Sequence, residues 1–203
     1  NLEQLESFRE GLFYVQDAAA NLSVLCAQLP TDARVLDCCA APGGKSYAAA
    51  VAMQGTGRIT SCDIHPHKIS LIENGAQRLG FHNIQAQVQD ASRFNPAWEN
   101  TMDAVIADVP CSGYGIIRKK PDIRYKDPDT MSFLPALQLE ILKNQSRHVK
   151  PGGILMYSTC TLVRKENEGV VEKFLKENGD FATEPLALPE NFPENTTGML
   201  TLV

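Results

Sequence analysis

The sequence predicts an α/β protein with a mainly parallel sheet and helices on both faces. Three observations lead there. Short apolar runs alternate with amphipathic segments along the chain, the pattern of a parallel sheet joined by crossover helices. The runs are strand-length, whereas the segments between them repeat their apolar residues at helical spacing. Glycine-rich or acidic residues follow the runs directly, where open parallel sheets gather their ligand-binding loops.

The elements can be read in order. Gln16–Leu29 reads as an amphipathic helix with Leu22, Leu25, Cys26 and Leu29 on one face, ended by Pro30 and Asp32. Arg34–Asp37 is a short apolar strand, and an Ala-rich helix follows from Lys45 to Met53. The pattern then repeats: strand Arg58–Asp63, then helix Pro66–Leu79 with Ile69, Ile72, Ala76 and Leu79 facing inward. Ile84–Val88 is a third strand, and Met102–Ala107 is a fourth, buried by its Ala-Val-Ile-Ala content. A long helix, Leu134–Val149, runs to a break at Gly152-Gly153 before the strand Ile154–Ser158. Glu166–Asn178 is a further helix and Met199–Val203 a last strand. Residues 1–30 are expected to form a helical lead-in and residues 31–203 one catalytic domain.

Composition sets limits. The 203 residues, 43% hydrophobic and 21% charged, are those of a globular domain. No apolar run reaches the roughly 20 residues that cross a bilayer, and no secretory signal opens the chain, so a cytoplasmic protein is expected. The six cysteines show neither disulfide nor zinc spacing, and Cys26, Cys38 and Cys62 read as small core residues. No metal site is expected: His65 and His67 mark a helix entry, and His82 and His148 stand alone. A net charge of −5 argues against a nucleic-acid partner, but Arg118, Lys119, Lys120, Arg124 and Lys126 face only Asp122 in one short stretch. Such a run is more often a solvated face than a binding patch.

The strand ends carry the chemistry. After the first strand comes Cys39-Ala40-Ala41-Pro42-Gly43-Gly44-Lys45, small enough for close approach of a ligand to the backbone and to the next helix N-terminus. It is neither a complete Walker A loop nor a G-x-G-x-x-G fingerprint. Asp63, Asp90 and Asp108 close the next three strands. One such residue is usually a cap, but three beside a glycine loop favour a nucleoside cofactor: Asp63 can meet ribose hydroxyls and Asp90 the adenine edge. Asp108-Val109-Pro110-Cys111-Ser112-Gly113 leaves the fourth strand and Ser158-Thr159-Cys160-Thr161 the fifth. Two thiols and a carboxylate thus converge on one crevice. Cys160 has a following helix and Arg164 and Lys165 to favour its thiolate. Two buried structural cysteines are the bland alternative, disfavoured by the polar turns around them. These residues alone do not choose between Cys111 and Cys160 as nucleophile, since DNA cytosine methyltransferases keep theirs after a proline.

The segments Ala40–Lys45, Asp108–Gly113 and Ser158–Thr161, in this order, resemble the NOL/NOP/Sun family of RNA cytosine-C5 methyltransferases. The opening Gly11–Asp17 and the Arg118, Pro121 and Asp122 positions are similar too, and the likeness spans nearly the whole chain. Its closest branch is the bacterial enzymes of 16S ribosomal RNA. The resemblance implies a Rossmann-like class I fold, S-adenosylmethionine as cofactor, and methylation of C5 of a cytosine through a covalent cysteine–C6 adduct. It further implies Cys39, Ala40, Ala41, Pro42, Gly43, Gly44, Lys45, Asp63, Asp90 and Asp108 at the cofactor, Cys160 as nucleophile and Cys111 assisting release. Asp108 would lie between cofactor and base, with Arg118, Lys120 and Arg124 on RNA. Val109 and Thr161 stand where the family has Ala and Ser, and Ala20 where it has Ser. The family's N-terminal NusB-like domain and closing Asp-Gly-Phe-Phe strand are absent from the sequence, so a monomeric catalytic fragment without its closing strand is expected. A tRNA-directed enzyme, a non-catalytic RNA-binding relative of the same fold, and a nucleotide-dependent oxidoreductase are the rivals.

Overall fold

The computed structural model describes residues 2–190, 192 and 194–201. Its centre is a five-stranded sheet in the order β3-β2-β1-β4-β5, parallel throughout. The strands are β1 (Arg34–Asp37), β2 (Arg58–Asp63), β3 (Ile84–Val88), β4 (Met102–Asp108) and β5 (Val149–Ser158). The helices are α1 (Glu6–Arg9), α2 (Ala18–Cys26), α3 (Gly44–Ala52), α4 (Pro66–Arg78), α5 (Leu134–Ser146) and α6 (Glu168–Glu177).

Alternation along the central strands sorts two cores onto the two faces of the sheet. Val35, Ile59, Ala104 and Ile106 pack with Val24, Leu29, Ala48, Ala49, Ala50 and Met53 beneath α2 and α3. Leu36, Val105 and Ala107 pack with Leu139, Leu142, Val170 and Phe174 beneath α5 and α6. The three alanines bring α3 close to the sheet, and enlarging one, as in Ala49→Leu, would cost about 1–3 kcal/mol by overpacking. Burial of the larger side chains, such as Phe174 and Leu142, stabilises by about 1.5–3 kcal/mol each.

Element bounds match the sequence expectation closely for β1 to β4 and differ elsewhere for identifiable reasons. α2 starts at Ala18 because the Asp17 side chain accepts from Ala19 N at 2.9 Å, and it stops at Cys26, before Gln28 turns to a φ of 44°. It buries Leu22 and Val24 rather than Leu25, which is 48% exposed; Cys26 is half-buried, not core. Val149 is not the end of α5 but the start of β5, paired with Met102. The Pro151-Gly152-Gly153 segment is a bulge within that strand, with Gly152 at a φ of +77°. Residues 199–201 form no strand; Leu202 and Val203, the rest of the expected last strand, lie outside the described residues. His148 is buried, stacked on Phe94, with ring nitrogens bonded to Asn95 N and Gln145.

The connection from β1 passes to the α3 face, and that from β4 to the α5 face. Their divergence opens a crevice at the carboxyl ends of these neighbouring strands.

Candidate active site

Loop 38–43 turns sharply after β1. Ala40 N donates to Cys62 O and Gly43 N to Ala40 O, both at 2.7 Å. Gly43 sits at a φ of 115° as the N-cap of α3, and a Cβ there would run into the Tyr47 ring. Glycine is therefore required for both conformation and space. Tyr47 secures the loop from below, its hydroxyl within bonding distance of the carbonyls of Pro42, Leu71 and Ile72 at 3.0, 3.3 and 3.1 Å.

Behind the loop lies a group that sequence reading passed over. Asp37 is fully buried; Ser46 donates to its Oδ2 at 2.7 Å, and Ser61 lies 2.7 Å from Ser46. Oδ1 has no partner among the described residues. Burial raises its carboxyl from 3.8 to about 7; the Ser46 bond opposes this, Asp108 adds to it and Lys45 opposes it. Its signal in the sequence was an acidic residue directly after the apolar pair Val35-Leu36, at the end of β1.

Asp63 is buried, and its Oδ1 accepts from His65 N at 3.0 Å and lies 3.6 Å from Lys68 Nζ. Among the described residues these contacts are made by Oδ1 and none by Oδ2. Asp90 is half-buried, accepting from Ser92 N and Oγ and facing Arg93 Nε at 3.4 Å. These carboxylates, the positive-φ loop and the N–H groups opening α3 form a donor and acceptor set suited to a nucleoside bearing an amino-acid tail.

Lys45 links this half to the other. It leaves the first turn of α3 and places Nζ 2.7 Å from Asp108 Oδ2, while Ser158 donates to Asp108 Oδ1 at 2.7 Å. Beyond Asp108, Cys111 and Cys160 lie with their sulfurs 3.1 Å apart. Cys160 is exposed, and Cys111 is half-buried and accepts from Cys160 N at 3.2 Å.

One proton shared between two sulfurs leaves one of them anionic more readily than a lone thiol. The Cys111 S–H donated to Cys160 lowers Cys160 to about 7, against burial and Asp108 and with help from Lys120 and Lys45. The same bond, followed by burial, raises Cys111 well above the ordinary thiol range. The Cys160 N–H favours charge on Cys111 instead, but two lysines and greater exposure to water place it on Cys160. The expected source of activation is thereby corrected. Arg164 is taken up by Glu172 at 3.1 Å, and a loop and a short 3-10 turn separate Cys160 from α6, which starts only at Glu168.

Arg118, Lys120 and Arg124 are exposed on the segment beside these loops, while Lys119 pairs with Asp17. Ile123 is buried and anchors the 3-10 turn Pro121–Tyr125 near Gly113. Glu166, expected to open a helix, is instead buried in a 3-10 turn, with its carboxylate on Ser112 N and Gln138 Nε2, both at 2.9 Å. Two grooves lie away from the sulfurs. One of about 350 Å³ runs between Arg34, Arg58, Gln85 and Trp98. The other, about 390 Å³, lies between Phe8, Tyr14, Pro42 and Arg78. Neither contains the strand-end carboxylates or the thiols. Among the described residues no acidic, His or Cys group is arranged to hold a metal, and no helix is long and apolar enough to cross a membrane.

A parallel sheet in this order, with a glycine loop after β1 and acidic residues closing the strands beside it, defines a Rossmann-like methyltransferase fold. An S-adenosylmethionine-dependent O-methyltransferase from Thermotoga maritima shares it with a TM-score of 0.55 at 16% identity, over 89% of this chain and 60% of that one. Residues 24–200 match the family described as 16S rRNA methyltransferase RsmB/F, and the chain belongs to that family. It is 43% identical over 189 residues to the probable ribosomal RNA small subunit methyltransferase B of Bacillus subtilis, covering 92% of this chain and 42% of the relative. It is 37% identical to ribosomal RNA small subunit methyltransferase F of Escherichia coli O9:H4, over 90% of this chain and 39% of the relative. The chain thus spans less than half the length of these relatives. The structure of NSun6 from Pyrococcus horikoshii with SFG superposes with a TM-score of 0.85 at 26% identity, over 98% of this chain and 50% of that one. The likeness to NOL/NOP/Sun proteins read from the sequence is borne out.

Proposed function

We propose that this chain carries the catalytic centre of an S-adenosylmethionine-dependent methyltransferase acting on C5 of a cytosine in small-subunit ribosomal RNA. The observation that carries the reading is the pair of sulfurs 3.1 Å apart beside the Lys45–Asp108 ion pair. The ribosomal RNA methyltransferase relatives, and the S-adenosylmethionine analogue SFG in the NSun6 structure, support the substrate and cofactor.

Residues 39–45 with Asp63 and Asp90 would hold S-adenosylmethionine, which supplies an electrophilic methyl when bound. C5 of cytosine is a weak nucleophile. The Cys160 thiolate adds to C6, breaking the ring's aromaticity and moving electron density to C5. A proton taken up from solvent at ring N3 and held against the Asp108 carboxylate stabilises the charge that develops. Once C5 is methylated, a base takes its proton, the C5–C6 double bond re-forms and the Cys160 sulfur departs with its electron pair; Cys111 assists that release. Arg118, Lys120 and Arg124 neutralise backbone phosphates. The base must leave its stack to reach the sulfur, so a single-stranded or loop cytosine is the target.

The test is denaturing electrophoresis of the protein with small-subunit rRNA and S-adenosylmethionine, alongside bisulfite sequencing of that RNA. Cys111→Ala should accumulate a protein–RNA adduct. Cys160→Ala should form none and lose about four orders of magnitude in transfer. An adduct that survives Cys160→Ala and vanishes in Cys111→Ala reverses the two roles. RNA without bisulfite-resistant cytosine after incubation with the wild type defeats the reading.

A further inference from the structure

Cys111 and Cys160 follow different strands and lie 49 residues apart in sequence, yet their sulfurs meet. Two adjacent residues before α6 reach one loop each. Glu166, 4% exposed, places Oε2 2.9 Å from Ser112 N, next to Cys111. The same oxygen accepts from Gln138 Nε2, which also donates to Pro110 O at 2.9 Å, on the other side of Cys111. Asn167 Oδ1 accepts from Thr159 Oγ1 at 2.6 Å, and its Nδ2 donates to Thr161 O at 2.9 Å, so it grips both neighbours of Cys160. Three further bonds close the assembly: Ser112 Oγ with Thr161 Oγ1 at 2.7 Å, Gly115 N to Cys160 O at 3.0 Å, and Tyr157 OH to Glu166 O at 2.6 Å.

We infer that Glu166 and Asn167 are positioning residues: a two-pronged clamp that fixes the Cys111 and Cys160 loops in register so that the sulfurs stay in hydrogen-bond contact. Neither side chain contacts a sulfur; each acts through the backbone flanking it. A buried carboxylate is costly unless it is fully used, and here it accepts from two donors that both belong to the setting of Cys111. Without the clamp the Cys111 loop is free to move away, and Cys160 loses the S–H donor that steadies its thiolate, leaving Lys45 and Lys120 against Asp108. The inference rests on the proposed cysteine chemistry for its consequence, but not for its geometry.

Three measurements on the full chain test it in Glu166→Ala, Glu166→Gln and Asn167→Ala. They are the pH midpoint of Cys160 alkylation by iodoacetamide, the rate of Cys111–Cys160 cross-linking by diamide, and the split of kcat and KM on rRNA. Glu166→Ala should raise the midpoint by about one pH unit toward that of a free thiol. Cross-linking should slow by about tenfold or more, and kcat should fall by about 100-fold with KM little changed. Glu166→Gln keeps one acceptor oxygen and should recover part of each loss. Asn167→Ala should move the same readouts, and these last two variants decide the matter if Glu166→Ala does not fold. Folded variants with wild-type midpoint and cross-linking rate overturn the clamp. If both readouts shift while even the wild type methylates no RNA, the clamp stands and the cytosine reaction falls. A wild type that methylates RNA, with variants equal to it throughout, leaves the reaction and removes the clamp.

Discussion

The two halves of the sheet solve the same problem by different means. On the β1–β3 side the rim is shaped by backbone: a glycine in the left-handed region, a tight turn, and carboxylates placed by the strands they end. On the β4–β5 side the rim is shaped by side chains bonded to side chains and backbone across 49–54 residues of sequence. The first kind of rim is dictated by local chain geometry and tolerates little change in residue type. The second is only as good as its longest-range partners.

If the comparison is sound, the largest stability effect of pH belongs to the first half. Between pH 3.8 and about 7 the folded chain holds a proton on Asp37 that the unfolded chain has released. Raising pH through that window therefore removes stability, and the loss is complete above it. At about 1.4 kcal/mol per pH unit the slope is worth about 4 kcal/mol. Denaturant unfolding at pH 4 and pH 8 should show it in the wild type and not in Asp37→Asn.

Gly43→Ala comes next. Strain at a φ of 115° and the clash with Tyr47 should cost about 1–3 kcal/mol, read as a lower Tm, and weaken S-adenosylmethionine binding by about tenfold or more in calorimetry. Equal loss from Ala52→Gly, a substitution elsewhere in α3, would blur the contrast, because backbone shape at the loop would not then be special.

In the second half, charge is the smaller lever. Activity should rise with pH to a plateau with a midpoint near 7, set by Cys160. Lys120→Ala should move that midpoint upward by about half a pH unit, the size an exposed, screened charge allows. Arg164→Ala should leave it unmoved and change stability by less than about 0.5 kcal/mol, since Arg164 spends its charge on exposed Glu172. A midpoint that follows Arg164 rather than Lys120 would return the activation to the residues next to Cys160 in sequence.

The same contrast explains what the sequence disclosed. β1, β2 and β3 were legible to the residue, because apolar runs ending in Asp37 and Asp63 and the glycines after β1 are local signals. The meeting of Cys111 with Cys160 was legible because two parallel neighbours end at one rim. The start of β5 was not, since Pro151-Gly152-Gly153 reads as a break, while pairing of Val149 with Met102 carries the strand through it. Glu166 read as a helix opener because its partners, Ser112 and Gln138, lie 54 and 28 residues away. The lysines acting on Cys160 escaped for the same reason: Lys45 arrives from α3 and Lys120 from the segment after β4.

The strand order itself has a further consequence. Chain leaving β1 and chain leaving β4 must part toward opposite sides, so the slot between them is kept open by connectivity rather than by any residue lining it. Its furnishings can be exchanged one by one without disturbing the layers beneath. A scaffold of this kind separates the question of whether the chain folds from the question of what it transforms.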